Sequence, residues 1–250
     1  MMKKLIGIIL SAVMVMSLAA CGGASQGTAQ PGILVMATNA EFPPYEYHEG
    51  SRIVGIDAEI AAAIAEKMGC ELVIEDIAFD SIIPEVVSAK ADMGMAGMTV
   101  TEDRMQNVDF STTYAVARQV VIVAEGSGIT SLADLEGRVI GVQQGTTGDI
   151  YATDEFGDDF IERYSKGMEA VQALVQGKID AVIIDNEPAR VFVSENPGLI
   201  ILDEAYADEE YAIAVRKGNT ALLEAINNAL EELKNDGTLD EIVSRYISTE

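Results

Sequence analysis

Residues 85–98 read EVVSAKADMGMAGM, and residues 170–185 read AVQALVQGKIDAVIID. Each stretch is an amphipathic helix, a small residue, a lysine, one further residue, an aspartate and then an apolar run of strand length. A chain that writes the same helix–turn–strand unit twice is constrained to two similar α/β lobes. In open sheets of this type, ligands collect just past the carboxyl ends of strands. The first copy ends at Ala96-Gly97-Met98-Thr99 and the second at Asp185, so those two ends are where a site is expected.

The remaining pattern alternates strands and helices throughout. Residues 33–37 and 72–74 read as strands. Between them lies a helix with Asp57 as its cap, Ile60, Ile64 and Met68 at four-residue intervals, and Gly69 as terminator. A helix is expected over 81–90, strands over 120–124, 139–142 and 181–184, and a helix over 168–176. The chain closes on a helix from Asn219, with Leu222, Leu223, Ile226 and Leu230 inward, and on another opened by Thr238-Leu239-Asp240-Glu241 as a capping box. Such alternation predicts an α/β fold with mainly parallel sheets.

The amino terminus is a different kind of sequence. Lys3 and Lys4 precede an apolar stretch over 5–16, and Leu18-Ala19-Ala20-Cys21 brings small residues before a cysteine. Residues 1–20 read as a secretory signal. The cysteine at that point resembles a bacterial lipobox, which implies cleavage before Cys21 and lipid on it. Residues 21–32 form a flexible Gly/Ser/Ala/Gln tether. The domain is therefore expected outside the cytoplasm, held to the cell membrane by lipid without spanning it. Of two cysteines, only Cys70 then remains, so neither a disulfide nor a zinc cluster with the lone His48 can be built. Neither metal nor cofactor is expected. With 16 Lys and Arg against 41 Asp and Glu, the chain carries a net charge of −25, which repels nucleic acid.

Three segments carry candidate chemistry. In 96–104, Thr101 fits an N-cap, Glu102 and Asp103 suit the first turn of a helix, and Arg104 stands beside free backbone N–H groups. A guanidinium, a threonine hydroxyl and main-chain donors together suit a small carboxylate. In 140–149 a strand enters a Gly-Thr-Thr-Gly turn, a nest of backbone donors with no P-loop lysine and with Asp149 to repel phosphate. Asp185 is either a helix cap or a partner for a cation. Phe42, in Thr38-Asn39-Ala40-Glu41-Phe42-Pro43-Pro44-Tyr45-Glu46-Tyr47, and Phe79 follow the first two strands and can wall a slot.

FPPYEY, GIDAEIAAAIAEKMG, FDSIIP, AGMTVTEDR, VDFS, LADLEGRVIGVQQGTT and the strand ending in Ile184-Asp185 occur in order. Across residues 33–248 the chain resembles the family 3 extracellular solute-binding proteins of bacterial ABC transporters for polar amino acids. That resemblance implies a two-lobe, type II periplasmic-binding-protein fold with ligand in the interlobe cleft. It implies one lobe from 33–113 and 214–250, a second from 119–208, and hinges at 114–118 and 209–213. Arg104, with Thr99 and the backbone at Thr146 and Thr147, would hold an amino acid's α-carboxylate. Gly97, next to Ala96, and the Thr99 hydroxyl would accept from its α-ammonium, with Asp185 as counter-charge. Phe42 and Phe79 would sandwich the side chain, and Asn39, Glu41 and Gln143 would set its identity, with a basic or amide amino acid favoured. The implied partners are that ligand and a membrane permease, and the protein is expected to be a monomer. Two other readings follow from the same likeness. One is an enzyme dehydrating small cyclic acids, with Glu187 or Glu41 as general acid; the other is an amino-acid sensor without transport.

Overall fold

The computed structural model describes residues 32–247. The signal segment, Cys21 and nearly all of the tether lie outside the described residues. The chain first forms β1 (Ile33–Thr38), a small three-stranded sheet of β2 (Glu41–Phe42), β3 (Glu46–Glu49) and β4 (Arg52–Val54), then α1 (Ile56–Met68), β5 (Glu71–Asp76), α2 (Ile82–Val87), β6 (Met93–Gly94), α3 (Glu102–Met105) and β7 (Val108–Phe110). It continues through β8 (Ala115–Ala124), β9 (Ile140–Gln143), α4 (Thr147–Phe156), β10 (Ile161–Tyr164), α5 (Gly167–Val175), β11 (Ala181–Asp185), α6 (Asn186–Glu195), β12 (Leu199–Ile201) and β13 (Ala207–Tyr211). It ends with β14 (Ala214–Arg216), α7 (Thr220–Asn235) and α8 (Thr238–Tyr246).

Two main sheets result, ordered β5-β1-β6-β14-β7 and β10-β9-β11-β8-β12, with β13 paired to β8. The two-lobe α/β class expected from the sequence is the one observed, but the sheets are mixed rather than mainly parallel. Pairs linked through helical crossovers, β1–β5, β1–β6, β9–β10 and β9–β11, are parallel. Strands that enter a sheet directly from the other lobe, β8 and β14, run antiparallel to their neighbours β11 and β6. A crossover helix lets a strand restart from the same end of the sheet; a direct crossing does not.

The two chain segments that join the lobes are the start of β8 and the end of β13. They pair antiparallel from Ala115↔Tyr211 to Gln119↔Ala207. Tyr211 also bridges to Thr99, so this ribbon is stitched to the first lobe at the exit of β6.

Two local readings need correction. Asp57 does not cap α1: Gly55 holds that position, at φ 122, where an added Cβ would lie 2.2 Å from the Tyr45 carbonyl oxygen. Asp57 is instead a fully buried acid whose Oδ2 accepts from the Gly97 N–H and the Tyr114 hydroxyl, each at 2.8 Å. Nor does Thr238 cap α8; Gly237 holds that position, and the Asp236 carboxylate accepts from the Thr238 N–H at 3.0 Å. Gly69 ends α1 in a left-handed conformation, as expected. Ile226 and Leu230 of α7 are buried, while Leu222 and Leu223 pack half-buried against the same core. Cys70 is half-buried and free.

Candidate functional site

The first lobe contributes Arg104. The Thr101 hydroxyl caps α3 by accepting from the Arg104 N–H, and this short turn holds the arginine in place. Its guanidinium is buried. Nη1 donates to the Thr99 carbonyl at 2.7 Å, and Nη2 reaches across the cleft to the Gly145 carbonyl at 3.2 Å. Its Cζ sits 5.3 Å from the Phe79 ring centroid, a cation–π contact. Burial lowers its pKa from the ordinary value, opposed by the charges of Glu209 and Asp185. The fork has five N–H donors, and only two are given to these carbonyls.

The second lobe contributes Asp185 and the turn before α4. Asp185 ends β11 at the N-cap position of α6 but makes no side-chain capping bond. Its carboxylate accepts from Gln119 Nε2 at 2.9 Å and from the Tyr211 hydroxyl. Of the two readings of Asp185, this geometry removes the cap. Burial pushes its pKa well above the usual carboxylate range, the Glu209 charge pushes it further, and the bonds from Tyr211 and Gln119 oppose both. A cation beside it would offset that cost. Thr146 caps α4, accepting from the Asp149 N–H. Asp149 is occupied by the Gly145 N–H and the Arg163 guanidinium. The N–H groups of Thr147 and Gly148 remain as first-turn donors with no intrahelical partner.

Between these groups lies a narrow cavity, closed down to about 10 Å³. Eleven of the twelve predicted ligand residues line it, drawn from both lobes. Phe42 and Phe79 are among them, and Ala96 and Gly97 form the floor at the exit of β6. Gly97 is required here: its φ is 51, and a Cβ would lie 2.8 Å from the Phe42 ring.

The exception is Glu41, which does not line the cavity and instead pairs with Lys166 of the other lobe at 2.5 Å. Consecutive residues of a strand point to opposite sides, so with Phe42 inward Glu41 must point away. Glu187 is likewise engaged elsewhere, by Arg190 and Asn186. In place of these acids the cavity holds Glu46, which sequence reasoning missed. Phe42 and Glu46 are cross-strand partners in the β2–β3 hairpin, and cross-strand partners share a face. That register was the available signal. Glu46 is fully buried beside Asp57, to which its carboxyl donates when protonated, and as a carboxylate it has no donor facing it. Burial and then the charge of Asp57 push its pKa well up.

At the same end, the orientations of Asn39 and Gln143 are fixed by backbone carbonyls. Asn39 Nδ2 donates to Ile77 O at 2.9 Å, so its Oδ1 accepts from Gln143 Nε2 at 2.8 Å. That nitrogen also donates to Ser165 O at 3.3 Å. Gln143 has thereby spent both of its N–H groups while Asn39 keeps one, and the acceptors left at this end are Gln143 Oε1 and the Glu46 carboxyl.

A second hollow, larger at about 950 Å³ and open to solvent, adjoins the crossing strands. Its guanidinium groups are already paired, Arg118 with Asp208 and Arg190 with Glu187. It offers no matched pair of opposite charges to a small ligand.

A cleft between two α/β lobes, basic on one wall and acidic on the other, defines a solute-binding protein of the two-lobe class. Comparison with known proteins makes this specific: residues 34–249 match the bacterial extracellular solute-binding proteins, family 3, and the chain belongs to that family. It is 34% identical to the arginine-binding extracellular protein ArtP of Bacillus subtilis (strain 168), over 100% of both chains. An ancestral arginine-binding protein bound to arginine superposes with a TM-score of 0.82 at 42% identity, covering 87% of this chain and 99% of that one. An ancestral arginine-binding protein bound to glutamine gives 0.84 at 41% identity, covering 88% and 100%. Among the described residues no helix is long and apolar enough to cross a membrane.

Proposed function

We propose that this protein captures a basic L-amino acid outside the cytoplasm and delivers it to the permease of an ABC importer. Arg104, the Thr147 hydroxyl and the first-turn N–H groups of α4 take the α-carboxylate. The Gly97 carbonyl, the Thr99 hydroxyl and Asp185 take the α-ammonium. Phe42 and Phe79 cover the aliphatic stem, and Glu46 with Gln143 Oε1 receives the cationic end. The observation that carries the basic over the amide ligand is the buried acid Glu46 at that end: a guanidinium or ammonium can donate to its carboxyl and to Gln143 Oε1, whereas an amide brings no charge to pair with it. The relatives' arginine and glutamine ligands bracket this choice.

The closed cleft is held by contacts between lobes that ligand would reinforce. These are Gln143–Asn39, Lys166–Glu41, Arg104–Gly145 and the 2.8 Å bond from Gln144 to Asp80. Residues 33–113 with 214–250 would move against 119–208 about 114–118 and 209–213, and the differential contacts of the zwitterion would favour closure. A monomer suffices for this. Cys21 would carry the lipid that keeps the domain near its permease. A thermal-shift screen against the twenty common amino acids, ornithine and cystine tests the reading. The largest shifts are expected from arginine, lysine or ornithine. Shifts confined to glutamate and aspartate, or none at all, would defeat it.

A further inference from the structure

Glu209 lies outside the cleft cavity, on the crossing strand β13. It is only 5% exposed. Its Oε2 accepts two hydrogen bonds, one from the Thr99 hydroxyl at 3.0 Å and one from Gln119 Nε2 at 2.9 Å. The same amide nitrogen donates to Asp185 Oδ2 at 2.9 Å. Glu209 is thus tied to the two lobes at once, to Thr99 of the first directly and to Asp185 of the second both through Gln119 and by a carboxyl–carboxyl contact.

A hydroxyl carries one proton. Spent on Glu209, it leaves Thr99 Oγ1 nothing but lone pairs for the cavity. Gly97 is in the same condition, because its N–H is bound to Asp57 and only its carbonyl is left. With Asp185, this end of the cavity presents acceptors alone, while Arg104 and the start of α4 present donors at the other. Without Glu209 the Thr99 proton could turn inward, and that hydroxyl would serve a carboxylate as readily as an ammonium.

We infer that Glu209 is a positioning residue that acts through Thr99 and Asp185 to reserve this end of the cavity for the ligand's α-ammonium. The inference rests on the cleft binding an α-amino acid, as proposed above, but not on which one. Its negative charge adds to that of Asp185. Burial and the Glu209 charge together raise the Asp185 pKa, a cost that an ammonium in the site would offset.

The test uses L-arginine and 5-guanidinopentanoate, which is arginine without its α-amino group. Wild type, Glu209→Leu and Glu209→Gln are each titrated with both compounds by calorimetry. Glu209→Leu should weaken arginine by roughly ten- to a hundredfold and change 5-guanidinopentanoate by less than about threefold. Glu209→Gln, whose carbonyl can still accept from Thr99, should recover part of the arginine affinity and remains near-isosteric if the leucine variant does not fold. Parallel weakening of both compounds, the mark of a merely structural role, overturns the inference while leaving the function standing. So does unchanged arginine affinity. A wild-type protein that binds no α-amino acid overturns the function and this inference together.

Discussion

Replacing Glu46 by glutamine removes one charge from the side-chain end of the cavity and almost no volume. In the closed cleft this carboxyl is fully buried with Asp57 beside it, so as a carboxylate it gains a donor only when a donor-rich group arrives. Breaking one side of a buried charge pair typically weakens binding by about 2–5 kcal/mol. Asp57 stands close enough behind Glu46 to raise its pKa, and that second carboxylate would still attract a cation. The low end of the range therefore applies, roughly 2 kcal/mol, or about thirtyfold in arginine affinity. L-Glutamine brings no charge to lose, and its affinity should change by less than about threefold. The unliganded protein should gain stability, since a buried titratable acid beside Asp57 is replaced by a neutral amide that can still donate to it. Calorimetric titration of both proteins with arginine and glutamine, and a melt of each without ligand, reads all three quantities. Undiminished arginine affinity in Glu46→Gln, or an equal loss for glutamine, would refute the reasoning that this end selects by charge.

Other outcomes follow from the same geometry. Arg104→Ala and Asp185→Ala should each abolish binding detectable at micromolar ligand, because each leaves one end of the zwitterion unpaired in a buried site; wild-type affinity in either would sink the assignment. Asp57, held at about 6 mainly by burial, binds its proton more tightly folded than unfolded. Its penalty on the fold is therefore relieved as pH falls from about 6 toward its ordinary value of about 4, so the unliganded melting temperature should rise over that window. Asp57→Asn should flatten that rise, and an unchanged slope in the variant would show that other groups carry it. Cys21→Ser should release the protein from the membrane fraction of cells that express it, as followed by immunoblot. Retention would remove the lipid anchor.

Most of the cavity was legible in the sequence because its residues sit at strand ends and helix starts, where local rules act. Thr101 capping Arg104 and the Gly-Thr-Thr turn before α4 are of this kind. So is Asp185, at the mouth of an apolar strand. The errors share another cause. Glu41 and Glu46 are both acids near Phe42, and only the β2–β3 register decides which one faces inward. Asp57 looked like a helix cap because three-dimensional neighbours, Gly97 and Tyr114, lie 40 and 57 residues away and leave no local trace. The mixed sheets were hidden for a similar reason: strand direction depends on whether the chain returns by a helix or crosses from the other lobe.

A crystal structure of the protein with L-arginine tests the central claim most directly. The guanidinium of Arg104 should lie within about 3.2 Å of the ligand's α-carboxylate, and Asp185 within the same reach of its α-ammonium, between Phe42 and Phe79. Arginine seated instead in the open hollow beside β8 and β13, or reversed so that its carboxylate faces Asp185, would contradict the account.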